Sequence, residues 1–271
     1  MKRILTAILS LIVIFALVGC GSQKSEGSTS KNEDKTTIKI GASPQPHKEI
    51  LEKVKPILKK EGYDLQIVEF TDYVTPNKAL ESGEIDANFF QHIPYLEEFN
   101  QKNNTDLTYV AKVHIEPMGV YSNKIKSLSE LKDGAQIAVP NDATNEARAL
   151  KLLAAKGLIK VKDGDTISKL DITENKKNLN IQEVDAPQLP RILSDVDAAV
   201  INTNYALEAN LNPTKDAIAI ESKDSPYANI IAVRKEDKDK PYIKALAKAV
   251  NDPQIKQFIN EKYKGSIVPA F

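Results

Sequence analysis

Strand-like and helix-like segments alternate without a break from residue 37 to the end of this 271-residue chain, which limits the fold more than any other feature. An apolar alternation at 37–41 is followed by 49–60, where Ile50, Leu51, Val54, Ile57 and Leu58 recur at helical spacing. A second strand is read at 65–70, and a helix opens at Thr75-Pro76 with proline in its first turn. A third strand at 86–90 precedes a helix starting at Pro94. Residues 107–122 have strand character broken by Pro117 and Gly119, and 136–139 leads through Pro140-Asn141-Asp142 into a helix over 144–156. Strands at 179–184, 198–202, 218–220 and 229–233 follow, and helices at 242–250 and 253–263 close the chain. This order predicts parallel α/β sheets. The span is somewhat long for one sheet and suits two lobes, with any ligand at the carboxyl ends of the strands between them. No internal sequence repeat is detectable.

The N-terminus has a different character. Lys2 and Arg3 precede an apolar stretch over 4–18, interrupted only by Thr6 and Ser10 and ending in Leu17-Val18-Gly19-Cys20. The stretch is short for a membrane span and fits a signal-peptide core. Its ending resembles the bacterial lipoprotein signal, which implies removal of residues 1–19 and a diacylated Cys20 as the mature N-terminus. Two or more acyl chains, at ~0.8 kcal/mol per buried CH2, anchor a protein stably to the bilayer. Residues 21–36 contain no large apolar side chain, so 20–36 reads as a lipidated flexible tether. The expected location is the extracytoplasmic face of the cell membrane. The chain has a single Cys, which excludes an intrachain disulfide and a Cys-rich zinc site. Its 37 basic residues balance 37 acidic ones, so no net field favours nucleic acid.

Enzyme signatures are missing. There is no G-x-S-x-G, no glycine-rich phosphate loop and no catalytic Cys arrangement, so no enzymatic activity and no cofactor is expected. The three histidines, His47, His92 and His114, offer a zinc-binding alternative, with His114 and Glu116 two apart on a strand. No metal-spaced His pair supports it. Arginine is scarce: Arg3, Arg148, Arg191 and Arg234 are the only four. Arg148 lies near the start of a helix capped by Asn141 or Asp142, where a fork of donors and a helix N-terminus suit a carboxylate. Arg191 and Arg234 read as surface or lobe-packing residues. Asn204 stands where a strand gives way to a helix, and Asn229 opens a strand; their amide oxygens could accept from an ammonium group. A surface role for Arg148, and cap or turn roles for both Asn, remain open at this stage. Finally, 86–96 crowds Phe89, Phe90, His92 and Tyr95 together, with Tyr73 nearby in sequence. One of the two Phe should be core. The other, with His92, Tyr95 and Tyr73, could line a slot suited to a thioether.

The segments LVGC, DANFFQHIPYL, HIEPMGVYS, PNDATNEARAL, AAVINTNYA and SPYANIIAVR together resemble the methionine-binding lipoproteins of the NlpA family, over residues 37–271. The resemblance implies a two-lobed type II periplasmic-binding-protein fold of the α/β class, each lobe a mostly parallel sheet flanked by helices. Lobe 1 would be 37–121 plus 225–271, and lobe 2 would be 122–224. It implies a monomeric substrate-binding component of an ABC importer, delivering methionine to a permease and its ATPase. The L-isomer is placed first, with D-methionine or a Met-containing dipeptide as alternatives. On matching positions Arg148 would clamp the carboxylate, with Asn145 a weaker candidate. Asn204 and Asn229 would hold the ammonium end, and Tyr73, Phe90, His92 and Tyr95 would surround the side chain. His114 and Glu116 are left as structural residues near the hinge, and no metal site is assigned.

Overall fold

The computed structural model describes residues 35–271. The expected signal peptide, Cys20 and the tether up to residue 34 lie outside the described residues. In chain order the elements are β1 (Thr37–Ala42), α1 (Glu49–Lys60), β2 (Asp64–Glu69), α2 (Thr75–Glu81), β3 (Ala87–Phe89), α3 (Ile93–Asn103), β4 (Leu107–Ile115) and β5 (Gly119–Tyr121). There follow β6 (Gln136–Pro140), α4 (Ala143–Ala155), β7 (Lys160–Val161), β8 (Ile172–Glu174), β9 (Asn180–Val184), β10 (Ala198–Ile201) and α5 (Thr203–Glu208). The last elements are β11 (Ala219–Ile220), β12 (Ala228–Arg234), α6 (Pro241–Val250), α7 (Pro253–Tyr263) and β13 (Val268–Pro269). The short β7–β8 pair and β13 carry too few residues for a readable period.

Two sheets organise these elements. One has the order β13-β4-β12-β3-β1-β2, and the other β11-β5-β10-β6-β9. Each contains three parallel strands in the order second, first, third, followed by an antiparallel strand. The sheets are therefore mixed rather than mostly parallel. The reason is the way the chain passes between lobes. It leaves through β4 and β5 and returns through β11 and β12, and these two crossings lie side by side in opposite directions. Pro117, which lacks an amide hydrogen, interrupts the outgoing strand at the crossing. β5 pairs into the second sheet, so the crossing falls at 116–118, slightly before the expected limit at 121. We otherwise propose the lobe limits as read from the sequence.

Each lobe buries its own core. The α1 residues Ile50, Leu51, Val54 and Leu58 share one helix face and pack on Ile38 and Ile40 of β1. The closing helices return to the same core through Ile243, Leu246, Ile255 and Ile259. In the second lobe Leu150 and Leu153 of α4 meet Ile137 and Val139 of β6 and Val200 of β10. Arg234 is a clip inside the first lobe: Nη1 donates to the carbonyls of Leu80 and Ile85, at 2.6 and 2.8 Å. Leu246 is fully buried. Leu246→Ala should cost about 2–5 kcal/mol of unfolding free energy, the range for a truncated core leucine. Urea titration measures this, and a cost near zero would contradict the packing described.

Candidate functional site

A small cavity lies where the lobes meet. Its wall contains Tyr73, Phe90, His92, Tyr95, Asn145, Arg148, Asn204 and Asn229, together with Gln91, Glu116, Asn202 and Thr203. All eight side chains singled out in the sequence are thus brought to one place.

The first lobe supplies the aromatic end. β3 delivers Phe89 into the hydrophobic core and leaves Phe90 at the cavity. A buried amide cluster holds the following loop: Gln91 Nε2 donates to Asn77 Oδ1 at 2.7 Å and to Asn88 Oδ1 at 2.9 Å. His92 caps α3, its Nδ1 accepting from the backbone N–H of Tyr95 at 3.2 Å. The ring proton therefore sits on Nε2, which donates to Asn145 Oδ1 across the seam at 3.1 Å. Tyr73, Phe90 and Tyr95 are mutual neighbours, with ring centroids 5.9–6.0 Å apart.

The second lobe supplies the polar end. Asp142 caps α4, accepting from the backbone N–H of Asn145 at 3.0 Å. Both Asp142 oxygens also accept from Asn145 Nδ2, at 2.9 and 3.0 Å. Asn145 Oδ1 accepts from His92 and from Asn202 Nδ2, the latter at 2.8 Å, so this side chain is fully engaged in the framework. Arg148, six residues after the cap residue Asp142, is only 3% exposed. Its Nε and Nη2 donate to the Glu221 carboxylate, Nη2–Oε2 being 2.6 Å, and Nη2 also donates to the Glu116 carbonyl at 2.6 Å. The Tyr227 ring lies against the guanidinium, 4.3 Å from centroid to Cζ. Nη1 donates to no group among the described residues.

The amides differ from the sequence expectation. Asn204 Oδ1 accepts from the Tyr73 hydroxyl at 2.6 Å, and Asn229 Oδ1 accepts from His47 Nε2 at 3.0 Å. Each oxygen expected to meet an ammonium group thus already accepts one hydrogen bond and keeps a second lone pair. The buried polar atoms of the wall without a partner are Asn204 Nδ2, a donor, and Asn202 Oδ1, an acceptor. Asn202 was hidden because it reads as the end of a strand and nothing more. Glu116 borders the cavity as well, just past β4, which the pairing pattern with His114 concealed.

The zinc alternative needs correction. His47, His114 and Glu116 form one buried group whose ligating atoms lie within 4.8 Å of one another, and His92 does not belong to it. His114 Nε2 donates to Glu116 Oε1 at 2.6 Å and His47 Nε2 lies 3.2 Å from the same oxygen, while His92 is committed to Asn145 and Tyr95. Helix capping, rather than metal chemistry, accounts for His92. Burial holds all three rings neutral, lowering His47 to about 4 and His92 and His114 to about 3, with the Arg148 charge adding to the effect at His92. Burial likewise raises the Glu116 carboxyl above its usual range, against the opposing pull of His47 and Arg148.

The profile of the NlpA lipoprotein family matches residues 38–271. This chain belongs to that family. It is 44% identical to the D-methionine-binding lipoprotein MetQ of Salmonella typhi over 98% of this chain and 97% of that protein. It is 43% identical to the methionine-binding lipoprotein MetQ of Bacillus subtilis over the whole of this chain and 99% of that protein. A nutrient-binding protein from Burkholderia cenocepacia, solved bound to methionine, is 53% identical with a TM-score of 0.84, over 86% of this chain and 100% of that one. The two-lobed α/β architecture of this NlpA-family chain is the one found in these relatives' structures.

The neutral histidines set a pH signature. As pH falls below the ordinary imidazole range, near 6.5, the unfolded chain takes up protons that the folded chain refuses until about 3–4. Each buried ring therefore subtracts stability progressively through that window, and none does so above it. In an NMR titration the ring signals of His47, His92 and His114 should stay flat from about pH 8 to about pH 5. A ring titrating near 6.5 would show that it is not buried as described.

Proposed function

We propose that this protein is the lipid-anchored, substrate-binding component of an ABC importer and captures methionine between its lobes. One observation carries the reading: a single small cavity has aromatic rings at one end and a buried guanidinium, amides and a carboxylate at the other. A free amino acid with an apolar, sulfur-bearing side chain matches both ends. Sulfur–aromatic contacts contribute roughly 0.3–1.5 kcal/mol each, and Tyr73, Phe90, His92 and Tyr95 offer several. Arg148 Nη1 and Asn204 Nδ2 are donors for the carboxylate. Asn202 Oδ1 and Glu116 are acceptors for the ammonium group, with Asn229 and Asn145 holding the frame around them.

The two MetQ relatives are methionine-binding lipoproteins and the Burkholderia protein was solved with methionine, which supports the same cargo and a lipid anchor at Cys20. Among the described residues no helix is long and apolar enough to cross a membrane. The L-isomer remains the first choice, and a permease with its ATPase is the proposed recipient. The protein acts by binding, as a monomer, on the extracytoplasmic face. Ligand touching both lobes favours the closed state by its differential affinity.

Breaking a buried charge pair costs about 3–5 kcal/mol. Arg148→Ala should therefore weaken methionine binding by about 100-fold or more, measured by calorimetry with each isomer in turn. Unchanged affinity for both isomers would remove Arg148 from the site.

A further inference from the structure

Glu221 lies outside the cavity wall, yet it makes more contacts with Arg148 than any cavity residue does. Its carboxylate takes the Nε–Nη2 edge of the guanidinium through three N–O contacts of 2.6–3.2 Å. Oε2 also accepts from the backbone N–H of Met118 at 3.2 Å, so Glu221 is held by the outgoing crossing while standing on the returning one. The Glu116 carbonyl takes the remaining Nη2 hydrogen and the Tyr227 ring covers one face. Only Nη1 keeps free donors. The Glu221 side chain is 15% exposed, so water screens this pair weakly.

The geometry points to Glu221 as a specificity-determining residue: by half-neutralising Arg148 and holding its Nε–Nη2 edge, it makes the cavity reject a bare carboxylate and accept a zwitterion. This rests on Arg148 as the carboxylate anchor. A ligand carboxylate reaching Nη1 meets a guanidinium whose charge is already shared with Glu221. An anion alone therefore gains little. A ligand that brings its own ammonium group offsets the repulsion from Glu221 and finds acceptors at Asn202 and Glu116. Glu221 touches no ligand in this account and acts through Arg148 and through its field.

The test compares methionine with 4-(methylthio)butanoate, the same molecule without its amino group, by calorimetry on the full folded protein. Glu221→Gln keeps an oxygen to accept from Arg148 and Met118 but removes the charge. The ratio of the analogue's affinity to that of methionine should rise on the order of tenfold, the scale of one unit charge several ångströms away in a partly screened site. Glu221→Asp keeps the charge on a shorter arm, and there the ratio should stay within about twofold of the natural protein while methionine affinity falls. A merely structural role would weaken both ligands together and leave the ratio unmoved in Glu221→Gln, which would overturn the proposal. If Glu221→Gln does not fold, a ratio shifted in Glu221→Asp overturns it equally. Failure of the anchor reading is separate: Arg148→Ala would then leave methionine affinity intact.

Discussion

Burying a guanidinium between two lobes is expensive unless its charge is paired, and the architecture is arranged around that requirement. Arg148 stands on α4, in the second lobe. Its answering groups, Glu221, the Glu116 carbonyl and Tyr227, all stand on or beside the two chain crossings. The charge is thus held by the segments any movement between the lobes must bend. Removing the guanidinium would leave Glu221 with a single backbone donor, from Met118, and would strip the crossings of their common partner. The cavity and the crossing region are in this sense one structure.

The topology explains why those groups converge. Because the outgoing and returning crossings run antiparallel, His114 and Met118 on one come opposite Asn229 and Glu221 on the other. The parallel strands β6 and β10 end at the seam and deliver Asn145 and Asn202 from the helix and loop that follow them. β3 does the same from the first lobe with Phe90 to His92. Ligand groups at the carboxyl ends of parallel strands are the general outcome for such sheets. Here two sheets present those ends to each other. Direct bonds already span the gap, from Tyr73 to Asn204 and from the Tyr205 hydroxyl to the Thr71 carbonyl at 3.2 Å.

Much of this was readable from the residues, and the gaps have physical causes. The helical spacing of Ile50, Leu51, Val54 and Leu58 located α1 because one face of that helix is buried on β1. The scarcity of arginine drew notice to Arg148, and the aromatic crowding drew notice to Phe90, His92 and Tyr95. Strand direction was not readable, since β12 is buried on both faces and reads as the continuous apolar run of a parallel strand, yet it pairs antiparallel with β3 and β4. The polarity of each amide escaped as well. Whether Asn204 offers oxygen or nitrogen depends on the Tyr73 hydroxyl, 131 positions away. Glu221 was invisible for a related reason: an acidic residue in a Ser- and Lys-rich loop has nothing local to mark it as the partner of a buried arginine.

The unpaired atoms of the wall define what can enter. Asn145 is saturated, His92 is fixed as a donor by its cap to α3, and the Asn229 oxygen accepts from His47. What is left is a donor on Asn204, an acceptor on Asn202 and the free end of Arg148. A ligand must satisfy donors and acceptors at close quarters, because buried polar atoms without partners cost roughly 1–3 kcal/mol each. Water could fill both needs in part, but it would leave the aromatic end empty of dispersion contacts. An apolar molecule would fill that end and strand the polar atoms. A molecule with opposite charges on groups that share one carbon and an apolar tail resolves both problems together. His92 in the wall, held neutral by burial, adds no charge to it as the external pH varies near neutrality. The proposed preference for a zwitterion rests on which atoms the protein has already paired with each other.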